Sequence, residues 1–223
     1  MTYVLSDLHG AYRKFTELLR TVRFGDADVM YVLGDVVDYG EESMELVSDL
    51  SMRANVYPVA GEHDFLAARM LSGFDRMLRE GTDPTPEYIA EMTRWVGDGG
   101  QATLNGFRTL DAEQREGVLE YLCDMALFEE ATVAGRNYLM VHAGIAGYRP
   151  ERDLEDYCPE DFFTEPLNPG RELIPGTTLL VGHVPGRDGR IVRGAGSIFL
   201  DCGVAFGGRL GCLCLENGEE FYV

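Results

Sequence analysis

Basic side chains are scarce in this sequence: 19 Lys and Arg stand against 38 Asp and Glu, a formal net charge of −19 over 223 residues. That balance argues against a nucleic-acid backbone or an anionic membrane surface as a partner, because both reward clustered cations. Long apolar runs are also missing, and nowhere do roughly 18 apolar residues follow one another, so no membrane-spanning helix is expected. The opening residues, MTYVLSD, lack the basic and apolar regions of a secretion signal, and the expected location is the cytoplasm. Cysteines are few, odd in number and never spaced as C-x-x-C (Cys123, Cys158, Cys202, Cys212, Cys214), so neither a disulfide framework nor a zinc knuckle is expected. Cys212 and Cys214 alternate within an apolar run and are expected to share one face of a strand. There is no low-complexity tract and no fixed repeat. With 45% hydrophobic and 26% charged residues, residues 1–223 read as one soluble globular domain.

The first half alternates short apolar runs with helical periodicity. TYVLS, VMYVLG and NVYPVAG read as strands, separated by helices in which Phe15, Leu18, Leu19 and Val22, and then Met44, Val47 and Leu50, recur at helical spacing. This βαβα beat predicts parallel strands buried on both faces, with ligands at their carboxyl ends. A helical segment of about 65–123 follows, broken near Pro84 and Pro86, with Asp111 and Gln114 spaced to cap a further helix and the whole segment expected to cap the sheet. The remainder is rich in strands and turns. It has a hairpin expected around Gly135–Asn137, a two-residue turn expected at Asn217–Gly218, and a proline-rich stretch over residues 148–176 that reads as a surface loop.

Only four histidines occur: His9 in SDLHG, His63 in GEHDF, His142 in MVHAG and His183 in LVGHVPG. Each sits just past an apolar strand, beside glycine or aspartate. A lone histidine in such a place is ordinarily a packed structural residue, but four of four at strand ends point to convergence. Imidazole and carboxylate without thiol suit a hard or borderline divalent metal such as Mn, Fe or Zn. The D-x-H spacing puts Asp7 and His9 on one side of an extended strand end. With Asp35 as a bridge, Asp7 and His9 supply one metal site, and Glu62, His142 and His183 a second. Two such ions, roughly 3.5–4 Å apart, activate water and clamp a phosphoryl group.

The motif GDVVDYG, Gly34 to Gly40, falls on the second strand end. Read in order, SDLHG, GDVVDYG, GEHD, VHAG and VGHVP resemble the metallophosphoesterases, and within them the bacterial phosphoprotein phosphatase branch that includes symmetrical diadenosine tetraphosphatases and phage-type serine/threonine phosphatases. WVGDGGQATL and IFLDCGVAFGGRL are softer matches to the same branch. The resemblance implies a four-layer α-β-β-α sandwich with mixed sheets, two divalent metals (Mn foremost, Fe or Zn as alternatives) and hydrolysis of a phosphorylated substrate: a phosphoprotein, a nucleotide or a small phosphoester. It implies that Asp7, His9 and Asp35 hold one metal, and that Asp35, Glu62, His142 and His183 hold the other. His63 would be the general acid with Asp64 orienting it, and Asp38 would tie down a metal-binding histidine. Three departures stand out: Glu62 replaces the family's asparagine, Tyr39 replaces its phosphate-clamping arginine, and DFFTEP offers Thr164 where the branch carries a further arginine. All three make the site less positive. The sequence therefore leaves open an active phosphohydrolase with an altered substrate, a nucleotide or dinucleotide hydrolase, or a weakened metal-binding regulator.

Overall fold

The computed structural model covers all 223 residues. Its first unit is β1 (Thr2–Leu5), α1 (Tyr12–Val22), β2 (Val29–Leu33), α2 (Ser43–Ser51) and β3 (Val56–Val59). The three strands are parallel, with Tyr3 beside Met30 and Met30 beside Val56. Their alternation sorts the side chains into two layers. Tyr3, Leu5, Met30 and Val32 face the helices with Phe15, Leu18 and Leu50. Val4, Leu33 and Val59 point the other way.

The second sheet forms from β4 (Phe128–Val133), β5 (Arg136–Val141), β6 (Thr177–Val181), β7 (Val192–Gly194) and β8 (Ser197–Phe199), while β9 (Gly211–Cys214) and β10 (Glu220–Tyr222) return to the first. The orders are β10-β9-β1-β2-β3 and β4-β5-β6-β8-β7. Both sheets are mixed, since β1, β2 and β3 in one and β5, β6 and β8 in the other run parallel among antiparallel neighbours. Val4, Leu33, Val59, Tyr138, Met140, Leu180, Leu200 and Leu213 fill one shared layer between the sheets. Cys212 and Cys214 point away from that layer together, as their alternation predicts. The outer face of the second sheet meets Tyr157, Phe162 and Phe163 from the proline-rich segment, so the fourth layer consists of short turns rather than long helices.

Helices α3 (Glu62–Glu80), α4 (Pro86–Trp95), α5 (Gln101–Thr109) and α6 (Ala112–Cys123) fill the middle of the chain. Here α3 stops at Gly81, in a left-handed conformation with φ 64°, and Pro86 opens α4. The prolines thus mark the restart, not the break. Asp111 and Gln114 form the expected reciprocal cap on α6. Two turns differ from expectation. The β4–β5 turn is Ala134–Gly135, both left-handed, one place earlier than expected. Asn217–Gly218 does not make a two-residue hairpin: the Cys214 amide donates to Glu219 (2.9 Å), leaving a four-residue loop. The Asn217 side chain accepts from the Glu219 amide (3.0 Å), and Glu216 is held by Thr2, which favours the longer loop.

Leu180 is fully buried in the inter-sheet layer. Leu180→Ala should cost about 2–5 kcal/mol of unfolding free energy, as core leucine deletions do, measured by urea denaturation with an unchanged m-value.

Candidate active site

The carboxyl ends of the parallel strands from both sheets meet at one end of the molecule. Six of the residues there hold left-handed backbone conformations rarely taken by side-chain-bearing residues: Asp7, His9, Asp35, Asp38, Tyr39 and His183, with φ between 43° and 72°. Asp7 and His9 therefore converge through tight turns after β1, not through strand alternation as the D-x-H spacing implied. Hydrogen bonds between loops hold these turns: the Asp7 amide donates to Gly34 (3.0 Å), His9 to Asp35 (2.8 Å) and Gly10 to Val36 (2.8 Å). Glycine is required where backbone passes against the acids. A Cβ on Gly61 would strike the Asp35 carboxylate, and one on Gly182 the Asp7 carboxylate.

Two donor clusters result. Asp7, His9 and Asp35 offer ligand atoms within 4.8 Å of one another, as do Asp35, His142 and His183. Asp35 belongs to both. Its Oδ1 accepts from the His63 amide (3.0 Å), and its Oδ2 faces His142 Nε2 (3.4 Å) and His9 Nε2 (3.7 Å). His9 Nδ1 contacts the Val37 carbonyl (3.1 Å) and His142 Nδ1 the Leu33 carbonyl (2.9 Å). A carbonyl only accepts, so each Nδ1 carries a proton and each Nε2 is turned inward toward Asp35, the orientation of a metal-binding histidine. The His183 amide donates to both oxygens of Asp7 (3.1 and 3.0 Å). The donor set and its orientation fit divalent cations.

The electrostatics of the bare protein agree. Burial and the charge of Asp201 push Asp7 well above the usual carboxylate range. Burial works against a charged His142, yet Asp35 and Asp7 raise its pKa to about 10. Burial likewise opposes ionisation of Asp35, but the imidazoles of His142, His63 and His9 outweigh it and hold the acid below its ordinary range. Burial lowers His9 and His183. This buried cluster takes up protons where no other cation compensates its charge.

Beside the clusters, His63 Nδ1 lies 2.8 Å from Asp38 Oδ2. Asp38 is fully buried and gripped three further times, by Trp95 Nε1 (2.8 Å) and by Thr103, whose hydroxyl donates to Oδ1 (2.7 Å) and accepts from the Asp38 amide (2.8 Å). Burial pulls the His63 pKa down, but the Asp38 hydrogen bond and the charges of Asp35 and Asp38 raise it to about 9. This corrects the expected pairing. Asp64 does not orient His63: its Oδ1 accepts the amides of Val36 (2.9 Å) and Val37 (3.2 Å), and its Oδ2 that of Gly61 (3.0 Å). As the third residue of α3 it caps the helix and staples two strand-end loops. Asp38, expected to steady a metal-binding histidine, steadies His63 instead.

Glu62 also departs from expectation. It is exposed and belongs to neither donor cluster, so the second cluster has Asp35, His142 and His183 without a fourth side chain. Tyr39 stands against the site as expected, its hydroxyl 3.0 Å from Asp98 and its phenol pushed up to about 12 by burial and that hydrogen bond. Sequence reasoning assigned no role to three residues: Trp95 and Thr103, which clamp Asp38, and Asp201, buried near Asp7. Asp201 follows β8 as the other acids follow their strands, a signal present in SIFLDCG.

Folded-state pKa values raised above the unfolded ones, to about 9 for His63 and about 10 for His142, mean that their stabilisation is fully present below about pH 6.5 and lost as pH rises through 9 to 10. The metal-free protein should therefore lose thermal stability over that interval. Adding Mn at pH 7.5 should raise Tm and release about one proton per protein or more, read by calorimetry in buffers of different ionisation enthalpy.

The family model described as calcineurin-like phosphoesterase matches residues 2–209. A symmetrical bis(5'-nucleosyl)-tetraphosphatase of Nitrosospira multiformis is 31% identical over 145 residues, 64% of this chain and 43% of the relative. A protein of the same name from Acidovorax sp. is 29% identical over 185 residues, 82% of this chain and 57% of the relative. The chain thus spans about half the length of these curated relatives. A solved protein serine/threonine phosphatase from Saccharomyces cerevisiae superposes with a TM-score of 0.60 at 15% identity, covering 100% of this chain and 79% of the other, and so shares the fold. With the family model spanning nearly its whole length over two mixed sheets, this chain belongs to the calcineurin-like phosphoesterase family.

Proposed function

We propose that this protein is a divalent-metal-dependent phosphohydrolase that cleaves phosphate esters by attack of water. The observation that carries this reading is the pair of donor clusters sharing Asp35, with His63 held beside them. Asp7, His9 and Asp35 would hold one cation, and Asp35, His142 and His183 the other. Imidazole and carboxylate donors without thiol favour Mn, with Fe or Zn next. Such cations, when bound, polarise a phosphoryl oxygen and bring a water toward hydroxide near neutral pH.

The chain's own residues supply the rest. Asp38 fixes His63 through Nδ1, leaving Nε2 to present a proton to the leaving oxygen. Asp38 opposes loss of that proton, since its hydrogen bond and charge raise the His63 pKa in the metal-free protein. The first turn of α3 directs the His63 amide at Asp35, fixing the shared ligand from the side on which His63 stands. Residues 1–223 act as one domain, and the helical segment of about 65–123 caps it, because Trp95 and Thr103 lock the proton donor's partner. No helix is long and apolar enough to cross a membrane.

The substrate is a phosphoester in the broad sense. The names of the relatives favour a second, narrower reading, a nucleoside polyphosphate. His63→Asn should lower kcat about a hundredfold or more on phenyl phosphate, whose leaving group needs a proton. The loss should be smaller on p-nitrophenyl phosphate, whose leaving group does not. Equal losses on the two would remove His63 from the acid role, and no metal-dependent turnover of either ester, its diester or a dinucleotide would favour a metal-binding regulator.

An exposed carboxylate on the first residue of α3 repels a dianionic substrate more than a monoanionic one. Glu62→Asn should raise kcat/KM for p-nitrophenyl phosphate by about twofold to tenfold at low salt, with a smaller gain on the bis ester and a shrinking effect as ionic strength rises. A slower variant would mean that Glu62 is an adapted part of the site.

A further inference from the structure

Tyr39 and Phe206 form an aromatic wall at the edge of the site that nothing in the chemistry above uses. The Tyr39 ring stands edge-on to His9 (centroids 5.0 Å apart, 88° between planes) and tilted against His63 (5.3 Å). Its hydroxyl is tied to Asp98 and Gly99 backs its ring, so its orientation is fixed. On its other side the Phe206 ring meets it at 5.5 Å. Phe206 is 71% exposed, the most exposed aromatic among the large hydrophobic residues at the surface.

Phe206 is not there by looseness of the chain. It ends the short turn Val204–Phe206, flanked by Gly203 and Gly207 in left-handed conformations (φ 77° and 82°). The Gly203 amide donates to Asp201 (2.8 Å) and the Gly208 amide to Gly203 (2.8 Å), while Lys14 Nζ donates to the Gly208 carbonyl (2.8 Å). A rigid turn anchored to an acid of the site therefore holds one bare aromatic face outward. None of the ion pairs made by Asp35 or Asp38 involves arginine or lysine. Charge from cationic side chains is thus replaced, at this edge, by π-surface.

We infer that Phe206, braced by Tyr39, is a specificity-determining residue that stacks on the base of a nucleotide whose phosphate lies at the metal clusters. Phe206 is two ring contacts away from His9, and in a nucleotide the ribose likewise holds the base apart from its phosphate. A simple aryl ester has its ring directly on the phosphate and reaches Tyr39 only. The inference rests on the phosphoester reading of the site and narrows it to nucleotides.

The test is calorimetric binding to the Zn-loaded protein of two ligands that differ only in the base: adenosine 5'-monophosphate and ribose 5-phosphate. The nucleotide should bind at least tenfold tighter, at the low end of what stacking a base on an aromatic side chain contributes. Phe206→Ala should shrink that gap to within threefold, and Phe206→Trp should keep it. Equal affinities in the unaltered protein, a gap that survives Phe206→Ala, or no measurable nucleotide binding would each overturn the inference. Hydrolysis of p-nitrophenyl phosphate without a gap sinks this inference and leaves the phosphohydrolase reading standing. A gap without metal-dependent turnover of either aryl ester, the diester or a dinucleotide does the reverse.

Discussion

A carboxylate buried as deeply as that of Asp35 has to be compensated on every side, and the surrounding structure is arranged to do so. One oxygen is fixed by the amide of His63 at the head of α3, the other looks toward His9 and His142 from two different sheets. Those contacts join three strand ends that are far apart in the chain. The imidazoles are in turn aimed by backbone carbonyls of residues 33 and 37, which belong to the same loop as Asp35 itself. The shared acid and its partners thus form a closed set, in which moving any one member uncovers a buried charge.

Holding that set together costs the backbone. Left-handed conformations at non-glycine residues carry a penalty of about 1–3 kcal/mol each, and six of them cluster here. The penalty is sustained by well-packed layers beneath, where Leu5, Leu33, Val59 and Leu180 are almost fully buried, and by the amide ladder between the first two loops. The same economy explains the glycines at 61 and 182. Backbone has to approach the acids more closely than a Cβ allows.

Much of this was legible in the sequence. Strand ends rich in aspartate and histidine located the site, and the ordered motifs identified the fold, because position along a strand is a strong constraint. The partnerships within the site were less legible. Asp64 follows His63 directly, yet at the third position of a helix its carboxylate turns back to the free amides of Gly61, Val36 and Val37 rather than toward its neighbour. Asp38, 25 residues away, reaches the imidazole instead. Glu62 shares a strand end with these residues, but the helix begins on it and leaves it outside. Adjacency in sequence predicts which end of the sheet a residue occupies; side-chain direction is set by where the helix starts. Trp95 and Thr103 lie in the motif WVGDGGQATL, but their role was not legible because it depends on Asp38, which is distant in the chain.

The clamp on Asp38 also has a consequence for assembly. As the chain is made from its amino terminus, Asp7, His9 and Asp35 come first, and with them a complete cluster of cation donors. The residues that steady the proton donor, Trp95 and Thr103, come some sixty residues later, and the second cluster waits for His142 and His183. The two halves of the site thus come from different stretches of the chain: the first donor cluster needs only residues up to Asp35, whereas the clamp on the proton donor's partner needs the helical segment and the second cluster needs the second sheet.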